Sequence, residues 1–127
     1  MGALRAGSCV RVRGIRGAIT VDSNSSQDIL AASRELLTEM VSANDIQPDD
    51  VAAVIFTTTP DLNAEFPARA AREMGWKDVA LLCGHEMAVP GSLTACLRIL
   101  LLVNTEKRAD EIVHAYLLGA RVLRPDK

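Results

Sequence analysis

The order of apolar and polar positions divides the chain into elements. Val10 to Val21 is rich in β-branched residues and predicts a strand. Its alternation slips around Gly14 and Gly17, which predicts a bulge or a close backbone approach. Asp22 to Ser26 is turn chemistry, and Ser25 with Asp28 three residues on resembles a capping box. A helix then runs to about Ala43. Ile29, Leu36, Leu37, Met40 and Val41 form its apolar stripe, with Leu30 and Ser33 at the edge and Arg34, Glu35 and Glu39 on the wet side. After a loop containing Pro48, Val51 to Thr58 is a second strand, apolar enough to expect cover on both faces. Pro67 and Gly75 bracket a short helix. Val79 to Cys83 is a short strand and Leu93 to Asn104 a long one. Ala109 to Val113 suits one helical turn, and His114 to Leu123 suits a last short strand.

These elements predict an α+β fold: a mixed β-sheet with one long helix and a short helix. One long helix cannot cover both faces of a four- or five-stranded sheet. The uncovered face therefore predicts packing against further copies of the chain.

Composition narrows the class. At 127 residues the chain is long enough for one domain, and 49% hydrophobic content predicts a packed core. Residues 1–9 read as an extension and residues 10–127 as the domain. Aromatics make up only 3%, so a base-stacking surface is not expected, and a net charge of −2 supplies no general basic field for nucleic acid. The longest apolar run, Ile99 to Val103, is too short to span a bilayer. The N-terminus lacks the apolar stretch of a signal peptide. Cys9, Cys83 and Cys96 have no metal-motif spacing, and their odd number fits a reducing, cytoplasmic setting.

The candidate chemistry is cationic. Arg98 lies inside the run Cys96-Leu97-Arg98-Ile99-Leu100-Leu101-Leu102-Val103, which reads as a buried strand. A guanidinium does not lose its charge, and leaving it dry and unpaired costs several kcal/mol. Its partner is either Glu86, in a structural ion pair, or a bound anion. Arg16 repeats the pattern in the first strand, on the opposite face from Arg11 and Arg13. Cys83-Gly84-His85-Glu86 brings three reactive types together, yet only His114 remains as a further histidine ligand, so no metal site is expected. Gly84 also breaks the strand geometry that a Cys83–His85 nucleophile pair needs. Read singly, the residues support a pocket for a small anion.

Taken in order, Arg13-Gly14-Ile15-Arg16-Gly17-Ala18, Thr59-Pro60-Asp61-Leu62, Phe66-Pro67-Ala68-Arg69, Cys83-x-x-Glu86-Met87, Cys96-Leu97-Arg98 and Tyr116-Leu117 through Val122-Leu123-Arg124-Pro125 resemble the small monofunctional chorismate mutases of the AroH class. The resemblance implies a homotrimer forming a pseudo α/β barrel, with active sites at subunit interfaces. It implies rearrangement of chorismate to prephenate, in phenylalanine and tyrosine biosynthesis, without cofactor or metal. It also implies roles. Arg98 would face the ether oxygen and Arg16 a carboxylate. Glu86 and Cys83 would face the ring hydroxyl, and Tyr116 would support a carboxylate. Phe66, Ala68, Leu81, Leu82 and Leu123 match walls, whereas Arg69, Arg72 and Arg124 match the mouth. Leu82 stands where the family pattern has a small polar residue. Two rivals are a non-catalytic trimeric small-molecule binder of similar fold and a Cys83-dependent hydrolase.

Overall fold

The computed structural model describes residues 9–124. The expectation for the extension falls mainly on residues 1–8, outside the described residues. Five strands form one mixed sheet in the order β3-β2-β4-β1-β5. They are β1 (Arg11–Thr20), β2 (Val51–Thr58), β3 (Ala80–His85), β4 (Cys96–Thr105) and β5 (Ala115–Leu117). Two α-helices accompany them, α1 (Ser26–Asn44) and α2 (Ala68–Glu73). The expected mixed sheet, long helix and short helix are all present.

Helix α1 starts where the Ser25 hydroxyl accepts the Asp28 N–H at 3.1 Å. The box closes on one side only, because the Asp28 carboxylate takes the Ser23 hydroxyl at 2.7 Å instead. The helix buries Ile29, Leu36, Leu37 and Met40 completely. Each contributes roughly 1.5–3 kcal/mol by leaving water. Opposite them lie Ile15 and Ile19 of β1, Val54 and Phe56 of β2, and Leu97, Ile99, Leu101 and Val103 of β4.

The strands alternate, which corrects two expectations. β2 buries Val54, Phe56 and Thr58 beneath the helices, while Ala53 and Ile55 remain partly open on the other face. β4 does the same: Leu97, Ile99, Leu101 and Val103 are buried, whereas Arg98, Leu100 and Leu102 are only partly covered. Neither strand is covered on both faces in the single chain. An apolar run hides this alternation because both of its faces are apolar. Arg98 is accordingly not fully buried, its side chain being 43% exposed.

Two further expectations change. β1 pairs with β4 without interruption from Arg11↔Thr105 to Thr20↔Cys96, so it has no bulge. The irregularity lies in β2, between Val51 and Ala53. The last strand is short: β5 ends at Leu117, and Leu118–Leu123 is a 3-10 helix. Leu118 takes a left-handed φ of 53°, which ends the extended backbone there.

Gly17 accounts for the slip in the β1 pattern. A Cβ there would stand 2.4 Å from Met40 Sδ and 3.1 Å from Leu36 Cδ1. Glycine allows α1 to settle onto β1. Gly17→Ala is expected to cost about 1–3 kcal/mol, because Met40 is fully enclosed and must shift. A lowered urea midpoint measures this; an unchanged midpoint would show that Met40 yields freely.

Candidate active site

The strand register sets the site. On the open face, one row crosses the sheet from Thr57 through Arg98 and Ala18 to Tyr116, each residue paired with the next. Two residues along each strand, a parallel row runs from Leu82 through Ile55 and Leu100 to Arg16. Side chains two residues apart share a face, so from Thr57 and Ile55 onward the two rows line one depression, with Leu82 beyond its edge. Arg16, Ala18, Ile55, Thr57, Arg98, Leu100 and Tyr116 surround a cavity of about 410 Å³, with Glu86 and Leu123 closing its ends.

Glu86 reaches this cavity because the β2–β3 ladder continues one step past β3: its N–H donates to the Thr58 carbonyl at 2.8 Å. Its carboxylate accepts the Thr57 hydroxyl. Glu86 and Arg98 approach to 3.8 Å between Oε2 and Nε. That is an ion pair without a hydrogen bond, and Arg98 Nε is a buried donor lacking a hydrogen-bond partner. Half of the expected pairing is thus present: Glu86 supplies the opposite charge and leaves a donor unspent. A buried donor left unsatisfied costs about 1–3 kcal/mol, so an incoming acceptor at this position is favoured.

Cys83, Phe66, Ala68, Arg72, Leu81 and Leu82 form a different group. They line a second depression of about 350 Å³ at the β3 edge of the sheet. Leu81 and Cys83 pair with Val54 and Phe56, so they share the helix-bearing side of the sheet. Phe66 is 68% exposed and Leu82 64%, an unusual loss for large apolar side chains grouped at one edge. Burial pushes the Cys83 thiol up, against smaller lowering effects from the Ala68 N–H and the Arg72 charge. It is a thiol at neutral pH, which disfavours a nucleophilic role.

The mouth arginines differ from one another. Arg69 is held by Glu65 at 2.9 Å and Glu73 at 3.0 Å, and these carboxylates raise its pKa further. Glu65 is itself held low, first by the Ser26 hydroxyl and then by the Phe66 N–H and Arg69. Arg69 therefore braces the loop that carries Phe66. Arg124 is exposed and follows the 3-10 helix that brings Leu123 to the first cavity. Thr57, Ala18 and Leu100 line the site but carry no chemical signal of their own in the sequence. Only the cross-strand register finds them.

Among the described residues, no cluster of three His, Cys, Asp or Glu side chains could hold a metal ion. Among them, too, no helix is long and apolar enough to cross a membrane.

A cation, an adjacent carboxylate and a phenol on the open face of a mixed sheet mark an α+β protein with a candidate site suited to a small anion. The comparisons make the class specific: residues 12–127 match the family model for chorismate mutase type I, and the chain belongs to that family. It is 52% identical over 116 residues to the chorismate mutase AroH of Thermus thermophilus, covering 91% of this chain and 95% of that one. It is 43% identical over 116 residues to the chorismate mutase AroH of Bacillus subtilis, covering 91% of each. A solved chorismate mutase from Clostridium thermocellum superposes with a TM-score of 0.85 at 50% identity, covering 86% of this chain and 97% of that one.

Proposed function

We propose that residues 10–127 form a cytoplasmic chorismate mutase unit that rearranges chorismate to prephenate. The observation that carries the mechanism is the Arg98 Nε donor, buried and unspent beside Glu86. The reaction is pericyclic. An ether C–O bond breaks while a C–C bond forms, and no proton moves and no covalent enzyme intermediate arises. The protein must hold the compact reactive shape and meet the charge that develops. Arg98 donates to the ether oxygen as it gains negative charge. Arg16 grips a carboxylate, supported by Tyr116. Glu86 accepts the ring hydroxyl and faces the positive charge growing on the ring.

The working unit is a homotrimer with sites between subunits. Two observations support this reading. The open sheet face leaves Ile55, Leu100, Leu102 and Ala53 partly uncovered. The candidate residues also fall into two depressions, neither of which holds the whole set. One protomer supplies Arg16, Glu86, Arg98, Tyr116 and Leu123. Its neighbour supplies Phe66, Ala68, Arg72, Leu81, Leu82 and Cys83 as the facing wall. Arg69 and Arg124 stand at the rim, where their charge favours entry of a dianion.

Incubating the protein with chorismate and following prephenate by NMR tests this reading against its rivals. Cys83→Ala is expected to retain substantial turnover. Loss of all activity in that variant would favour a hydrolase, and unchanged chorismate with wild-type protein would favour a non-catalytic binder.

A further inference from the structure

Arg16 presents its side chain to the first cavity, but its backbone N–H raises a separate question. β1 is paired with β4 along its whole length on one side. On the other side, the parallel ladder with β5 begins only at Gly17, opposite Ala115. Arg16 lies one residue before that ladder. The acceptor for its N–H is a side chain, His114 Nδ1, at 2.9 Å. A ring nitrogen that accepts is unprotonated, so the neutral imidazole carries its proton on Nε2.

His114 is itself held. Asn44, fully buried at the end of α1, donates to the Val113 carbonyl at 2.8 Å and accepts the Val113 N–H at 2.8 Å. The same amide also donates to the Met40 carbonyl at 2.9 Å. The end of α1 thus fixes the residue before His114, and His114 fixes the backbone of Arg16.

We propose that His114 is a positioning residue for Arg16: its unprotonated Nδ1 extends the β1–β5 ladder by one rung and aims the guanidinium into the site. This rests on the reading of Arg16 as a carboxylate clamp and deepens it. His114 does not line the cavity, so its effect passes through the Arg16 backbone rather than through contact with substrate.

Burial, and secondarily the Arg16 charge, push the imidazole below its ordinary value of 6.5. The accepting form therefore prevails at neutral pH. A depressed pKa means that the contribution is complete above the ordinary value and is lost as pH falls through the folded one. Protonation would set a donor against a donor. Arg16 on β1 is the charged group that bears on the ring. From α1 the neighbour is the neutral Asn44 amide, whose backbone carbonyl takes Lys107 Nζ at 2.7 Å. From β5 the nearest ionisable group in sequence is the Tyr116 phenol.

Three variants and one spectrum test this. His114→Asn keeps an acceptor where Nδ1 stood and is expected to hold KM near the wild-type value. His114→Phe removes it and is expected to raise KM roughly tenfold, with kcat altered less than about twofold, because a clamp acts on substrate and transition state alike. The wild-type KM is expected to rise on acidification through the folded pKa of His114, and His114→Asn should abolish that rise. Arg16→Ala should make the histidine substitutions silent. Equal KM in the Asn and Phe variants, or an acid response that persists in His114→Asn, would overturn the proposal. The 15N imidazole spectrum needs no activity: it should show the Nε2–H tautomer at neutral pH, and the Nδ1–H tautomer would also overturn it. If the wild type leaves chorismate unchanged, the mutase reading fails, and the spectrum still decides whether His114 holds Arg16. Should His114→Phe not fold, the Asn variant and the spectrum carry the test.

Discussion

Arg98→Ala is expected to lower kcat about a hundred- to a thousandfold while weakening chorismate binding far less. The asymmetry follows from when the interaction forms. The ether oxygen is a weak acceptor in the substrate and a strong one as its bond to carbon stretches. A donor already in place, with no hydrogen-bond partner to give up, therefore gains most at the transition state. A millionfold acceleration requires about 8 kcal/mol, and loss of one such donor accounts for roughly 3–4 kcal/mol. On the proposed reading, the remainder falls to conformational restriction by the walls of the site, while Arg16 adds affinity for substrate and transition state alike. Stopped-flow or single-turnover kinetics separate the two parameters. Equal losses in kcat and in binding would assign Arg98 to ground-state affinity alone.

Arg16→Ala and Arg72→Ala are each expected to be nearly inactive at chorismate concentrations near the wild-type KM, yet co-refolding the two at equal ratio should restore activity there to about a quarter of wild type. Arg16 and Arg72 line separate depressions. In a mixed trimer, a site that takes its Arg16 face from one variant and its Arg72 wall from the other carries neither substitution. Random assembly places such sites at about one interface in four. The recovery is large against a nearly silent background, so it discriminates sharply. A mixture no more active than its components would mean that both residues serve the same chain's site, or that Arg72 has no part in it.

The sequence made much of this legible, for physical reasons that differ between residues. The α1 stripe was readable because its period matches a helix with one wet side, and Arg34, Glu35 and Glu39 are exposed as that period requires. Arg98 and Arg16 stood out because charge within an apolar strand demands an explanation. The two-faced character of β2 and β4 was not legible, since alternation vanishes when the second face is apolar too. The end of β5 is not legible because Leu118 turns through a left-handed conformation without being the glycine that usually signals it. Thr57 and Ala18 were invisible as site residues: neither is reactive, and only pairing beside Arg98 brings them in. The division of the candidates between two depressions is likewise unreadable, because it depends on where the segment carrying Phe66, Ala68 and Arg72 meets the β3 edge of the sheet.

The role of Arg98 is tested most directly by a crystal structure with a bicyclic ether dicarboxylate shaped like the transition state. The guanidinium is expected within hydrogen-bond distance of the ether oxygen, with Arg16 on a carboxylate and Cys83 of the partner subunit across the ligand. A guanidinium folded onto Glu86, with the ether oxygen bound by water or by nothing, would contradict it.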